Sequence, residues 1–128
     1  MLHEGIDLFL DIHGDEAIPY NFVAGSEGIP SYDDRLANLE SMFKSALSTV
    51  TPEFQDEFGY DKDKPGQANL TVGSNWVGEQ FKCLSYTIEM PFKDNNDFPD
   101  PLYGWSPERS IKFGHDTLSA VNAVIKFL

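Results

Sequence analysis

Hydrophobic positions along this 128-residue chain fall into stretches with different spacing. Ile6 to Ile12 carries Ile, Leu, Phe, Leu and Ile broken only by two aspartates. A run of that kind predicts a strand buried on both faces, as in a parallel sheet. Between Ser31 and Val50 the spacing changes. Leu36, Leu39, Phe43, Ala46, Leu47 and Val50 recur at three and four positions, which predicts a helix with one apolar face. Ser31, with Asp34 three residues on, is its expected N-cap, and Pro52 its expected stop. Phe81 to Met90 is rich in β-branched and aromatic residues and runs into Pro91, predicting a second strand. Ser106-Pro107-Glu108 supplies a cap, a proline at the first helical position and an acid near the positive helix end. The final helix starts there, with Ile111, Leu118, Val121, Ile125 and Leu128 as its expected buried face.

The intervening segments read as connections. Pro19 to Ser31 and residues 55–69 are polar or rich in Gly and Pro, and Asp94 to Tyr103 is broken by prolines. Leu70 to Val72 is a candidate short strand, and Gly73 to Gly78, carrying Trp76, a turn. The order strand, helix, strand, helix predicts an α/β layered fold without internal repeats. Two or three strands make a thin sheet, and the first strand asks for cover that so few elements cannot give. The expectation is a segment of a larger domain, with an exposed sheet edge open to self-association.

Charge narrows the partners. Net charge is −12, which sets the chain against phosphate backbones and anionic lipid, so neither nucleic acid nor membrane is an expected partner. No apolar run is long enough to span a bilayer, and MLHEGID lacks the pattern of a secretory signal. The single cysteine, Cys83, allows no internal disulfide and is expected to be a small buried hydrophobe. Together these features predict a cytoplasmic location. Lys62 and Lys64 sit among Asp56, Glu57, Asp61 and Asp63, a solvated loop.

Two acids and a histidine interrupt this pattern. LFLDIHGDE takes an apolar strand directly into His13, Gly14, Asp15 and Glu16. Functional groups collect at the carboxyl ends of strands in open α/β sheets. An imidazole flanked by carboxylates suits metal ligation, and Gly14 permits close approach. A strand-end histidine bonded to backbone fits the same residues. Asp11 shares a strand face with His13 and can orient it. His13 to Glu16 also spells H-x-x-E, which by itself supplies too few ligands for catalytic zinc. Glu89 lies in LSYTIEMPFKD among Tyr86, Ile88, Met90 and Phe92. Apolar surroundings would raise its pKa toward the range of a general base, whereas an edge-strand acid facing water fits as well. Trp76, Trp105 and Tyr103 read as packing residues, His3 as part of a frayed end, and His115 as a helix-surface residue. No nucleophile elbow, P-loop or dinucleotide fingerprint is present.

LFLDIHGDEAIPYNF, then GSNW, then LSYTIEMPFKD, in that order, resembles the zinc metallocarboxypeptidases related to carboxypeptidase A, in particular the bacterial members of the cytosolic carboxypeptidase branch. The resemblance covers nearly all of residues 1–128, but only the C-terminal half of the family's catalytic domain. It implies a mixed, mostly parallel sheet flanked by helices. It makes His13 the counterpart of the family's third zinc ligand. Glu89 becomes the glutamate that activates the zinc-bound water and passes the proton to the leaving amine. Gly73, Ser74 and Asn75 fall where the family shapes the pocket for the substrate's terminal side chain. The family's mobile tyrosine has no clear counterpart, Tyr60 being the one candidate. The implied cofactor of the complete enzyme is Zn2+. The implied partners are the C-termini of peptides or protein tails, acidic tails among them, and the missing N-terminal half of the domain.

The departure is as informative as the match. The family's H-x-x-E ligand pair and its carboxylate-binding arginine lie upstream of the third ligand. Only twelve residues precede His13 here, and His3-Glu4-Gly5-Ile6 is no such pair. One histidine cannot hold catalytic zinc, so this chain alone is expected to be inactive. Two other readings stay open: a truncated homologue acting as a binding or interaction module, and a related zinc amidohydrolase or deacylase.

Overall fold

The computed structural model describes residues 4–128, so His3 lies outside the described residues. Its elements in chain order are β1 (Leu8–Asp15), β2 (Phe22–Ala24), α1 (Asp34–Val50), α2 (Gly73–Phe81), β3 (Leu84–Pro91) and α3 (Pro107–Val124). The 3-10 turn Ile125–Phe127 follows α3. The sheet has the order β1-β3-β2 and is mixed: β1 runs parallel to β3, and β2 antiparallel to it. Helices flank it, as the α/β expectation requires. The central strand β3 is the most buried, and its Leu84, Tyr86 and Ile88 meet Leu36, Leu39, Phe43 and Leu47 of α1 in the core. Phe113, Ala120 and Val124 of α3 close the same core.

Several boundaries differ from the sequence pattern, each for a visible reason. β1 is not buried on both faces. It is an edge strand with Ile12 56% exposed, and it continues through His13 and Gly14 to Asp15 because these pair with Glu89, Met90 and Pro91. The cap of α1 is Asp33 rather than Ser31: the Asp33 carboxylate accepts the Leu36 N–H at 2.9 Å. Ser31 instead donates its backbone N–H to Glu79. Residues 70–72 form turn rather than strand, and Gly73–Phe81 is a helix rather than a turn. Gly78 serves packing there, since a Cβ would stand 3.3 Å from both Ser26 Oγ and Ser85 Cβ. Three residues of the expected loop at 19–31 form β2, too short a run to show a period.

The expected face of α3 holds in part, Val121 and Leu128 packing half-buried against the core. Phe113, Thr117, Ala120 and Val124 are buried, whereas Ile111, Leu118 and Ile125 are exposed. The inward row includes the smaller Ala120 and Thr117, which permit close approach to α1. Ser106 caps α3 as expected, accepting the Arg109 N–H at 3.3 Å. Trp76 and Tyr103 are exposed and do not pack in the core, whereas Trp105 packs edge-on against Phe113. Cys83 is buried, and His115 is on the surface of α3.

Candidate active site

Parallel pairing of β1 and β3 puts His13 directly opposite Glu89. The two-residue period of β1 turns Asp11 to the same side, and His13 Nε2 lies 3.0 Å from Asp11 Oδ1. The other ring nitrogen, Nδ1, faces Glu89 Oε1 at 3.9 Å. A carboxylate holding one ring nitrogen so that the other is free is the arrangement by which proteins orient a metal-binding histidine.

Glu89 is 4% exposed. Burial pushes its carboxyl above the usual range, and the Tyr60 hydroxyl and His13 offset this only in part. Oε1 is 3.2 Å from the Tyr60 hydroxyl, while Oε2 is buried with no hydrogen-bond partner. A carboxylate oxygen held away from water without a donor is costly unless something else meets it.

Tyr60 reaches this point from the long α1–α2 connection. Its hydroxyl donates to Asp15 Oδ2 at 2.5 Å, and its ring meets Phe22 edge-on with centroids 4.9 Å apart. Asp15 stays ionised and so accepts a charge-assisted bond from Tyr60. The bond from Tyr60, with the Ile18 and Ala17 N–H groups at 2.6 and 2.8 Å, holds its carboxyl below the usual range despite burial. The Tyr60 phenol is pushed up in turn by burial and by the Asp15 and Glu89 carboxylates. Asp15 stands in the sequence beside His13, but its tie to Tyr60 spans 45 positions and left no local signal.

The N-terminal turn of α2 lies across the cleft. Ser74 Oγ is 3.0 Å from Thr87 Oγ1 of β3, and the Ser85 hydroxyl donates to the Ser74 carbonyl at 2.6 Å. Asn75 donates its amide to the Asn69 carbonyl at 3.1 Å. A single cleft of about 830 Å³ thus gathers Asp11, His13, Tyr60, Ser74, Asn75 and Glu89. Glu16 is exposed. Among the described residues no group of three His, Cys, Asp or Glu side chains is placed to hold a metal ion.

No protein-family model matches the chain. A proposed carboxypeptidase A from Shewanella denitrificans OS-217 is 61% identical with a TM-score of 0.94, over 95% of this chain and 32% of that one. A metallo-carboxypeptidase from Pseudomonas aeruginosa, solved with (2-guanidinoethylmercapto)succinic acid, is 50% identical with a TM-score of 0.94, over 96% and 32%. An uncharacterised protein of Zymomonas mobilis is 47% identical over 121 residues, 94% of this chain and 32% of its own length. Fold and sequence therefore agree on a class: over nearly all its length the chain is similar to one segment of solved metallo-carboxypeptidases, at 41–61% identity and TM-scores of 0.88–0.94. It spans about a third of the length of the relatives it matches.

Proposed function

We propose that the complete protein is a zinc-dependent carboxypeptidase that removes C-terminal amino acids from peptides or protein tails. In this reading residues 1–128 form the C-terminal part of its catalytic domain, with His13 as one metal ligand and Glu89 as the general base. The observation that carries it is the pairing of His13 with Glu89 across β1 and β3, Asp11 orienting the imidazole and Glu89 Oε2 unpartnered. A zinc ion suits this donor set as far as it goes: an oriented imidazole nitrogen beside a buried carboxylate with a free oxygen. The remaining ligands are assigned to the part of the protein outside this chain, which we place against the free edge of β1.

When bound, zinc would polarise the scissile carbonyl and acidify the attacking water. The chain's own residues do the rest. Glu89, kept out of water with an elevated pKa, accepts the water's proton and passes it to the leaving nitrogen. Tyr60 is a hydrogen-bond donor held beside Glu89 by Asp15. Ser74 and Asn75 wall the space for the terminal side chain. The P. aeruginosa relative's ligand is, by its name, a substituted succinic acid, and free carboxylates are what a peptide C-terminus presents.

Zinc content and peptide hydrolysis of the full-length protein test this. Glu89→Gln should keep zinc and lose about 10²–10⁴-fold in turnover, and His13→Ala should lose zinc. Wild-type turnover in the first variant removes Glu89 from the mechanism; full zinc occupancy in the second removes His13. A wild-type protein that takes up no zinc is instead a binding module, and one that hydrolyses only N-acyl amino acids is a deacylase.

A further inference from the structure

The wall of the cleft opposite β1 is the turn that leaves β2, residues 24–27, of which Ala24, Gly25 and Glu27 line the cleft. That turn is held from behind by a buried carboxyl the proposed chemistry does not use. Glu40 projects from the middle of α1's apolar face, between Leu36, Leu39, Phe43 and Leu47, and is 5% exposed. Its Oε1 accepts the Ser26 N–H at 3.2 Å and its Oε2 the Tyr32 hydroxyl at 3.0 Å. Gly25 makes room for it, since a Cβ there would lie 2.7 Å from Glu40 Oε1 and 3.0 Å from both Glu27 carboxylate oxygens. Ser26 in turn packs on Gly78 of α2, the helix that presents Ser74 and Asn75. Glu40 therefore ties α1 to the turn, and Ser26 of that turn packs on α2.

We propose that Glu40 is a positioning residue for the cleft: its carboxyl ties the 24–27 wall to α1 by accepting the Ser26 N–H, and on ionisation it sets a buried charge against Glu27 that the Ser26 and Tyr32 donors offset only in part, which loosens that wall. The groups facing it all bear on its charge. Glu27, Tyr32 and Asp33 come from the β2–α1 connection, Lys44 from α1 itself, Asp56 and Lys62 from the α1–α2 connection, and Tyr86 from β3. Compensation by the two lysines is limited. Lys44 is bound to Asp56 at 3.1 Å and Lys62 to Glu27 at 3.8 Å. Tyr86, on β3, has a buried hydroxyl without a partner. Burial and the Glu27 carboxylate raise Glu40 to about 7, so both charge states are populated near neutrality.

The experiment has two arms on the full-length protein. In amide spectra recorded across pH, the Ser26 N–H of the wild type should shift with a midpoint near 7, and in Glu40→Gln it should not titrate. Tyr32→Phe removes a donor to the ionised carboxylate and should move the midpoint upward, which keeps the test decisive if Glu40→Gln fails to fold. The second arm rests on the carboxypeptidase reading: against an N-acyl dipeptide, wild-type KM relative to that of Glu40→Gln should rise about tenfold from pH 6 to 8, the effect falling on KM rather than kcat. A Ser26 amide that is flat in the wild type, that still titrates in Glu40→Gln, or whose midpoint is unmoved in Tyr32→Phe overturns the proposal. A protein that cleaves no peptide defeats the carboxypeptidase reading alone, and the amide arm still decides this one.

Discussion

Arg109 offers a quantitative test of how the chain holds its loops around the sheet. Its guanidinium lies 3.0 Å from Asp94 Oδ1 and from the Gly104 carbonyl, 3.2 Å from Glu53 Oε1 and 2.7 Å from the Phe98 carbonyl. It also lies over the Trp105 ring, 4.7 Å from the centroid. One side chain thereby joins α3 to the segment after α1 and to the loop after β3. Its exposure is 17%, and those of Asp94 and Glu53 are 27% and 20%, between the surface and the buried limits. Exposed pairs are worth about 0–1 kcal/mol, and breaking a buried one costs about 3–5 kcal/mol. Replacing Arg109 with Met, which keeps much of the stem, should therefore cost about 3 kcal/mol. Arg109→Lys keeps the charge, but a single ammonium cannot span four acceptors, so about half that cost should remain. Asp94 adds a pH signature. Burial pushes its carboxyl up, but the Asn95 and Asp100 N–H groups and Arg109 together hold it below the usual 3.8. A depressed folded pKa adds stability above the unfolded value and loses it on acidification. Losing Arg109 shrinks that contribution. Urea unfolding followed by circular dichroism measures the series. A Met variant within about 0.5 kcal/mol of wild type, the range of ordinary surface substitutions, would refute the reasoning.

Three further outcomes follow from other parts of the structure. Asp11→Asn should weaken zinc binding by the full-length protein about tenfold, the low end of the effect of losing an orienting carboxylate, because the His13–Asp11 pair is partly solvated; chelator competition measures it, and unchanged affinity removes Asp11 from the site. Gly104 has φ +63° and a Cβ there would run into the Lys93 carbonyl, so Gly104→Ala should cost more than about 1 kcal/mol in thermal or urea unfolding. Glu40 lifts from 4.5 to about 7 on folding, so the folded state binds the extra proton between these values and stability falls as pH rises through that window. Glu40→Gln should match wild type near pH 5 and exceed it by up to about 3 kcal/mol at pH 8, as urea unfolding at both pH values would show.

The sequence pattern was most legible where one cause acted alone. Ser106-Pro107 opens α3 because cap chemistry is local. The apolar run broken by Glu89 marks β3 because a strand in the middle of a sheet keeps its own alternation. Legibility failed where tertiary contact overrode local preference. Gly73 and Gly78 argue against a helix, yet Gly78 is glycine because α2 packs tightly on Ser26 and Ser85. The Ile111, Leu118 and Ile125 row is the more hydrophobic side of α3, yet the helix turns the smaller Thr117 and Ala120 toward α1. His13 and Glu89 stood out because polar chemistry interrupted apolar strands. Glu40 interrupts an apolar helical face in the same way, and the same rule applied to α1 would have marked it. The Asp15–Tyr60 bond joins a strand end to a loop 45 positions away, a distance over which no periodicity carries information.

Register is what makes this arrangement a site rather than a collection of polar residues. On β1 and β3 the level that carries His13 and Glu89 alternates with the levels that pair Ile12 with Ile88 and Gly14 with Met90. A slip of one residue would set His13 against Ile88 or Met90 and turn Glu89 away from the imidazole. Phe22 of β2 lies opposite Glu89 on its other side, so β3 is fixed from both flanks at the level of its carboxylate. β1 is fixed from one flank only. The buried carboxylate of Glu89 is therefore built into the best-secured strand of this chain, while the imidazole of His13 rides on the edge strand, held from one side by the pairing with β3. If the proposed reading holds, a metal centre drawing its other ligands from beyond that edge would complete the support of His13 and the coordination of the metal in the same step, coupling ligand geometry to assembly of the full domain.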